Sequence, residues 1–319
     1  MELIYDIVIV GGGPAALSAA IYAGRSELKT IVLERQRIGG QIIGTYDVDN
    51  YPGFPEGISG AELIARMEAQ ARRFGAEFAT ENVKRLEREG EINLAFTDQN
   101  VYRCPAIICA VGAGPKKLDV PGEQKLRGRG VSYCATCDAP FFKDKSVVMV
   151  GGGDTAFKEG LFTARFARSV LFVVRSADFK AERIYQTQAR RNPKISFETG
   201  TVVTAINGEK RVESVTLKNL KTSAEKNYAC DGVFVFIGHI PETEFLCNLF
   251  PVDCGGHLET DLRMMTKIPG LFAVGDARKY SYRQIATAVG EGATAAMEAQ
   301  EYIERKIVQN EWVSPKRTE

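Results

Sequence analysis

One short pattern occurs twice in this 319-residue chain, and few folds accommodate it. Ile7-Val8-Ile9-Val10 is an apolar, β-branched run, and Gly11-Gly12-Gly13-Pro14-Ala15-Ala16 follows it with an alanine-rich stretch behind. Val147-Val148-Met149-Val150 runs into Gly151-Gly152-Gly153-Asp154-Thr155-Ala156 in the same way. A buried strand that turns through G-x-G-x-x-A into a helix is the first unit of a doubly wound sheet. Its glycines permit a tight turn and let the backbone approach a pyrophosphate, which rests on the helix N-terminus. The residues expected at such a contact are Gly11, Gly13, Pro14 and Ala15 in the first unit, and Gly151, Gly153, Asp154 and Thr155 in the second.

The strand after each turn sharpens the distinction between the two. Thr30 to Leu33 ends in Glu34, 23 residues after Gly11, where an acid accepts the ribose hydroxyls of an adenosine. Ser169 to Val174 ends instead in Arg175, 24 residues after Gly151, with Lys180 nearby and no carboxylate. Such a pair suits a 2′-phosphate better than a free hydroxyl, the alternative being a solvated basic turn. Far downstream, Gly270-Leu271-Phe272-Ala273-Val274-Gly275-Asp276 is another strand ending in Gly-Asp, and Arg283-Gln284-Ile285-Ala286 opens a helix. Asp276 there would clamp the ligand of the first turn from a second side. The expected fold is therefore α/β, with two Rossmann-like, three-layer ββα domains, the second inserted into the first. The expected boundaries are 1–115 with 246–319 for the outer domain and 116–245 for the insert. Ser59-Gly60-Ala61-Glu62 predicts a capped packing helix that buries Leu63, Met67, Ala71 and Phe74 and stops near Gly75.

Just before the second turn stands Cys134-Ala135-Thr136-Cys137-Asp138. Two thiols three residues apart can close a small disulfide ring, and a helix start favours thiolate. The adjacent carboxylic acid can exchange the proton that thiol chemistry needs. Structural zinc would require further close-spaced ligands. The remaining Cys104, Cys109, Cys230, Cys247 and Cys254 form no second C-x-x-C, and His239 and His257 form no ligand pair, so no metal is expected. An odd cysteine count of seven argues against a secreted disulfide framework. Forty-one basic and 40 acidic residues nearly cancel, which gives no reason to expect nucleic acid or a membrane surface as partner. With no long apolar run and a strand beginning almost at Met1, a cytoplasmic protein is expected.

With these residues in view, the sequence resembles the low-molecular-weight bacterial type of thioredoxin reductase from about residue 4 to about 308. The likeness rests on the two glycine turns, Gly39-Gly40-Gln41, Asn50-Tyr51-Pro52-Gly53, the Cys134–Asp138 stretch, Gly238-His239, Gly275-Asp276 and Arg283-Gln284, all in family order. The resemblance implies FAD in the outer domain, contacted by Glu34, Arg35, Gly40, Gln41, Asn50, Val83, Gly275, Asp276, Arg283, Gln284 and Ile285. It implies a homodimer whose inserted domain rotates, carrying both the dithiol and an NADPH site. Cys137 then faces the flavin, Cys134 attacks thioredoxin, and Asp138 is the acid.

Departures from the family concentrate in the second nucleotide unit. Val174-Arg175-Ser176 stands where the family has His-Arg-Arg, Lys180 replaces an arginine, and Lys158-Glu159 replaces an acidic pair. The expectation is that NADP(H) is not an efficient donor and that a ferredoxin-like protein feeds the flavin. A tail beyond the family's usual end carries the single tryptophan, Trp312, which is expected to stack on the flavin. An NADPH-dependent reductase of the usual type, a small-molecule dithiol oxidase and a non-enzymatic flavin sensor are the alternatives. Donor-dependent flavin bleaching, oxygen uptake with small dithiols and thioredoxin turnover separate them.

Overall fold

The computed structural model of the chain describes residues 2–45, 48–246 and 248–315, so Cys247 lies outside the described residues. Two compact units form, one from residues 1–114 with 240–319 and one from residues 115–239. Residues 240–245, expected in the insert, belong to the outer unit. Glu242 N–H donates to Gly112 O, and the next turn delivers Leu246 into the outer unit's core.

The outer unit is built on a five-stranded parallel sheet in the order Leu271–Ala273, Ala106–Cys109, Ile7–Val10, Thr30–Glu34, Glu77–Thr80. Alternation along these strands assigns their faces. Ile7, Ile9, Val32, Ile108 and Phe272 point into a core shared with the helices Pro14–Arg25 and Ile285–Val308. Val8, Val10, Ile31, Leu33 and Ile107 point into a second core, closed by the sheet Glu2–Ile4, Val101–Cys104, Ile92–Phe96, Arg85–Glu89. This is the expected three-layer ββα arrangement. Small residues let the two helices touch, since a Cβ at Gly292 would stand 2.1 Å from Ala15 O. The predicted packing helix forms over Gly60–Arg73, with Ser59 Oγ accepting Glu62 N–H at 3.2 Å. Leu63, Met67 and Ala71 are buried on it, and Phe74 is its half-buried C-cap.

The inserted unit repeats the plan. Its parallel sheet runs Val131–Ser132, Gly232–Val235, Ser146–Val150, Ser169–Val174, Ile195–Thr199. One face meets the helix Asp154–Thr163 and the short helix Ala135–Asp138, in a core holding Ala135, Ala139, Met149, Phe157 and Phe172. The other face meets the antiparallel strands Thr201–Asn207, Ser214–Asn219 and Glu225–Ala229. Among the described residues, no helix is long and apolar enough to cross a membrane.

Candidate active site

Cys134 is the N-cap of the short helix Ala135–Asp138, and it is disulfide-bonded to Cys137. Both cysteines are half-buried. Ser132 ties down the approach: its Oγ accepts Cys134 N–H and donates to Cys134 O, both at 3.1 Å. Cys137 N–H donates to Cys134 Sγ at 3.2 Å, an amide aimed at the atom that would carry thiolate charge after reduction. Asp138 N–H closes the turn on Cys134 O at 3.1 Å. Glu123, wholly buried, holds the preceding loop by accepting Leu118 N–H, Asp119 N–H and the hydroxyl of Tyr133. Three other thiols are kept out of this chemistry by burial, which pushes Cys109 and Cys230 up to about 12 and Cys104 higher still, while Cys254 is free and exposed.

The first glycine turn is built as its sequence demands. Gly11 sits at φ +106°, and a Cβ there would meet Ala110 O at 2.4 Å. A Cβ on Gly13 would meet nothing within 4 Å, so the space in front of the helix Pro14–Arg25 is open. Glu34 reaches back, its Oε2 accepting Gly12 N–H at 2.8 Å. The Gly39–Gly40 turn lies against Gly13, and Gln41 Nε2 donates to Ala113 O at 2.7 Å. From the far end of the chain, Gly275 comes up beside Ala15. Asp276 follows it, half-buried, and burial pushes its carboxyl up to about 6, Arg283 pulling it down and Glu291 adding to the rise. Asn50 Nδ2 bonds Gln284 Oε1 at 3.2 Å, and Gln284 caps the helix that opens at Ile285. Val83 is buried in the second core of the outer unit. Arg35 is turned away into an ion pair with Glu242 at 2.5 Å, both largely exposed.

The second glycine turn keeps its strain and its opening. Gly151 is at φ +144°, with a Cβ position 2.2 Å from Phe236 O, and a Cβ on Gly153 would meet nothing within 4 Å. Asp154, however, is committed to the following loop, its Oδ1 accepting Glu182 N–H at 2.7 Å. That loop folds onto the turn through Lys180 N–H and Ala181 N–H, both donating to Gly152 O. Thr155, Arg175 and Lys180 are exposed, and the Arg175 and Lys180 side chains have no partner among the described residues. Ser176 Oγ donates to Asp178 O at 2.5 Å.

Trp312 is not brought to the first glycine turn. Its indole is 9 % exposed, packed in the outer unit's helical core, and its Nε1 donates to Asp6 Oδ1 at 2.8 Å. Asp6 precedes the strand Ile7–Val10, whereas Gly11 follows it. Five extended steps at about 3.3 Å each put the two ends on the order of 16 Å apart. The expected flavin-stacking role is therefore corrected: burial of the indole and an acceptor at the far strand end hold Trp312 elsewhere.

Comparison with known proteins agrees with this geometry. Residues 5–292 match the family described as pyridine nucleotide-disulphide oxidoreductase. The chain is 43% identical over 310 residues to the thioredoxin reductase of Peptoclostridium acidaminophilum, covering 95% of this chain and 98% of that one. It is 44% identical over 304 residues to that of Bacillus subtilis strain 168, covering 95% and 96%. The crystal structure of thioredoxin reductase from Streptococcus pyogenes MGAS5005 superimposes with a TM-score of 0.88, at 39% identity, over 96% of this chain and all of that one. The chain belongs to the pyridine nucleotide-disulphide oxidoreductase family, on its low-molecular-weight thioredoxin reductase branch. As a family member it is a flavin-dependent disulfide oxidoreductase. The residues present fit FAD: Gly11 admits no side chain, the space at Gly13 is open, and Arg283 Nε is buried without a partner among the described residues.

Two residues that shape the site were missed in the sequence. Glu291 accepts Gly275 N–H at 2.7 Å and pairs with Arg278 at 2.7 Å, so it fixes the loop that carries Asp276. Its signal was a lone carboxylate, in Gly290-Glu291-Gly292-Ala293, within the small-residue first half of the helix. His257 Nε2 lies 3.3 Å from Arg283 Nη2, and nothing in the sequence around it pointed there.

Proposed function

We propose that this enzyme reduces the disulfide of thioredoxin or a thioredoxin-like protein through Cys134 and Cys137, and that a low-potential one-electron protein such as a ferredoxin, not NADPH, is its efficient donor. The observation that carries the first part is the amide of Cys137 aimed at Cys134 Sγ at a helix start. FAD, held by Gly11, Gly13, Glu34, Gln41, Asn50, Asp276 and Gln284, would supply the two electrons that open the disulfide. Cys134 thiolate then attacks the partner's disulfide, forming a mixed disulfide and releasing one partner thiolate. Cys137 thiolate attacks Cys134 Sγ, the second partner thiolate leaves, and the ring reforms. Asp138 donates the proton that the leaving thiolate takes up. A homodimer is the assembly proposed for this cycle.

The donor part rests on the second nucleotide unit. A 2′-phosphate is held by bidentate guanidinium groups, each charge-assisted bond being worth roughly 1.5–3 kcal/mol. Ser176 and Lys180 stand where related enzymes carry arginines, and Ser176 is turned onto its own loop. Together these changes weaken NADPH by about two orders of magnitude. The NADPH-dependent reading is favoured by one feature, the intact open turn at Gly151 and Gly153.

Anaerobic rapid mixing of the oxidised holoenzyme with NADPH, NADH or reduced ferredoxin decides between them. Flavin bleaching by ferredoxin at the rate of thioredoxin turnover is expected, with micromolar NADPH lagging far behind. Bleaching by NADPH at the turnover rate overturns the donor assignment and leaves the disulfide chemistry standing. Failure of every donor to drive thioredoxin reduction overturns the whole reading.

A further inference from the structure

The first-turn amides of the dithiol helix are shared between a sulfur and a carboxylate. Cys137 N–H points to Cys134 Sγ, while Thr136 N–H donates to Glu159 Oε2 at 3.2 Å and Thr136 Oγ1 to the same oxygen at 3.4 Å. Ala135 N–H bonds the same carboxyl. Glu159 belongs to the helix Asp154–Thr163 of the same unit and is half-buried. Charged groups on the neighbouring elements are Asp138 on the dithiol helix, Lys158 and Asp154 on its own helix, and Arg183, Arg190 and Arg191 on the next. Lys158 lies over the Tyr185 ring at 4.8 Å, and Asp154 is held by Glu182 N–H. No cation pairs with Glu159 among the described residues, so the amides and the Thr136 hydroxyl stabilise its charge. Burial raises its carboxyl above the ordinary glutamate range, the three hydrogen bonds pulling the other way.

Reduction of the disulfide to one thiol and one thiolate adds a negative charge to this same group of amides. Granted the redox role proposed for Cys134 and Cys137, we propose that Glu159 is a positioning residue that takes up a proton when the disulfide is reduced and releases it when the disulfide reforms. The step balances: disulfide and carboxylate, with two electrons and two protons, give thiol, thiolate and carboxylic acid. The electrons are those of the enzyme's own disulfide reduction, and the protons come from water. Charge at the dithiol helix is then the same in both redox states. Thr136 keeps a partner throughout, because a protonated carboxyl still accepts through one oxygen.

The test is the dithiol–disulfide equilibrium of the FAD-loaded protein in dithiothreitol buffers, between about pH 5 and pH 8. Alkylation and mass spectrometry of the peptide that carries both cysteines give the reduced fraction. Glu159→Gln keeps an acceptor for Thr136 but cannot titrate. Wild type and Glu159→Gln should converge towards the acid end of the range and diverge towards the alkaline end, by up to about tenfold for a coupling of one pKa unit, the variant being the more easily reduced. A ratio that stays constant across the range overturns the proposal, since a purely structural role shifts both ends alike. Glu159→Asp, which retains a titrating carboxyl, should keep the pH-dependent divergence from Glu159→Gln and serves against wild type if the glutamine variant fails to fold: the two should then share one pH profile shape, and a flat profile in either overturns the proposal. A wild-type pair that exchanges with dithiothreitol at no pH defeats the redox reading itself, a distinct result.

Discussion

Trp312 Nε1 donates to Asp6 Oδ1 across 306 residues of sequence, at 2.8 Å and in a buried setting. Ser314 Oγ and Lys29 N–H fill the other oxygen, so three donors satisfy a carboxylate that is wholly buried. Trp312 is thereby part of the outer unit's core. Trp312→Phe keeps most of the packing and strands Asp6 Oδ1, which costs about 1–3 kcal/mol. Urea unfolding should show that loss while the rate of flavin reduction in the folded enzyme stays unchanged. A changed reduction rate with undiminished stability would return Trp312 to the flavin.

The dithiol should be asymmetric. Cys134→Ser should abolish thioredoxin reduction and leave the flavin reducible by its donor. Asp138→Asn should slow thiol exchange by roughly a hundredfold, the usual loss for a missing general acid. Thioredoxin turnover and single-turnover thiol release measure both, and full activity in Cys134→Ser and Cys137→Ser alike would refute the assignment.

Asp276 supplies a pH signature in the flavin-free protein. Its carboxyl is raised from 3.8 to about 6 in the fold, chiefly by burial. The folded state therefore binds this proton more tightly than the unfolded chain. Its contribution to stability is complete below the unfolded value and is lost as pH rises through about 6. Asp276→Asn should remove that decline between about pH 4 and pH 6 in apoprotein melts and leave the apoprotein more stable at neutral pH, while weakening FAD retention. An unchanged slope would show that Asp276 is not the group responsible.

Glu291→Ala should release flavin without touching it. The Glu291–Arg278 pair is mostly buried, with side-chain exposures of 10% and 15%, and removing one member leaves an uncompensated charge worth about 3–5 kcal/mol. The Gly275 amide also loses its acceptor. Gel filtration should yield protein with a lowered flavin-to-protein absorbance ratio, and retention of full flavin content would assign Glu291 to packing alone.

The glycine turns, the dithiol helix start and the Ser59 cap were legible because each is a local backbone requirement. The positive φ of Gly11 disfavours any side chain there by itself, and the Ala110 carbonyl 2.4 Å from a Cβ adds a tertiary bar to the local one. The continuous apolar run Ile7–Val10 was likewise legible as a buried strand, and it is buried on both faces. Tertiary structure alone decided the rest. Glu159 reaches Thr136 across 23 residues, Glu291 reaches Gly275 across 16, and Trp312 finds Asp6 at the opposite end of the chain. Glu159 and Glu291 would suit a solvated surface as well as a buried contact, and the partner of each side chain is set by how sheets and helices stack. The burial of a charge, and hence where a carboxylate must find its donors, exists only once that stacking is complete.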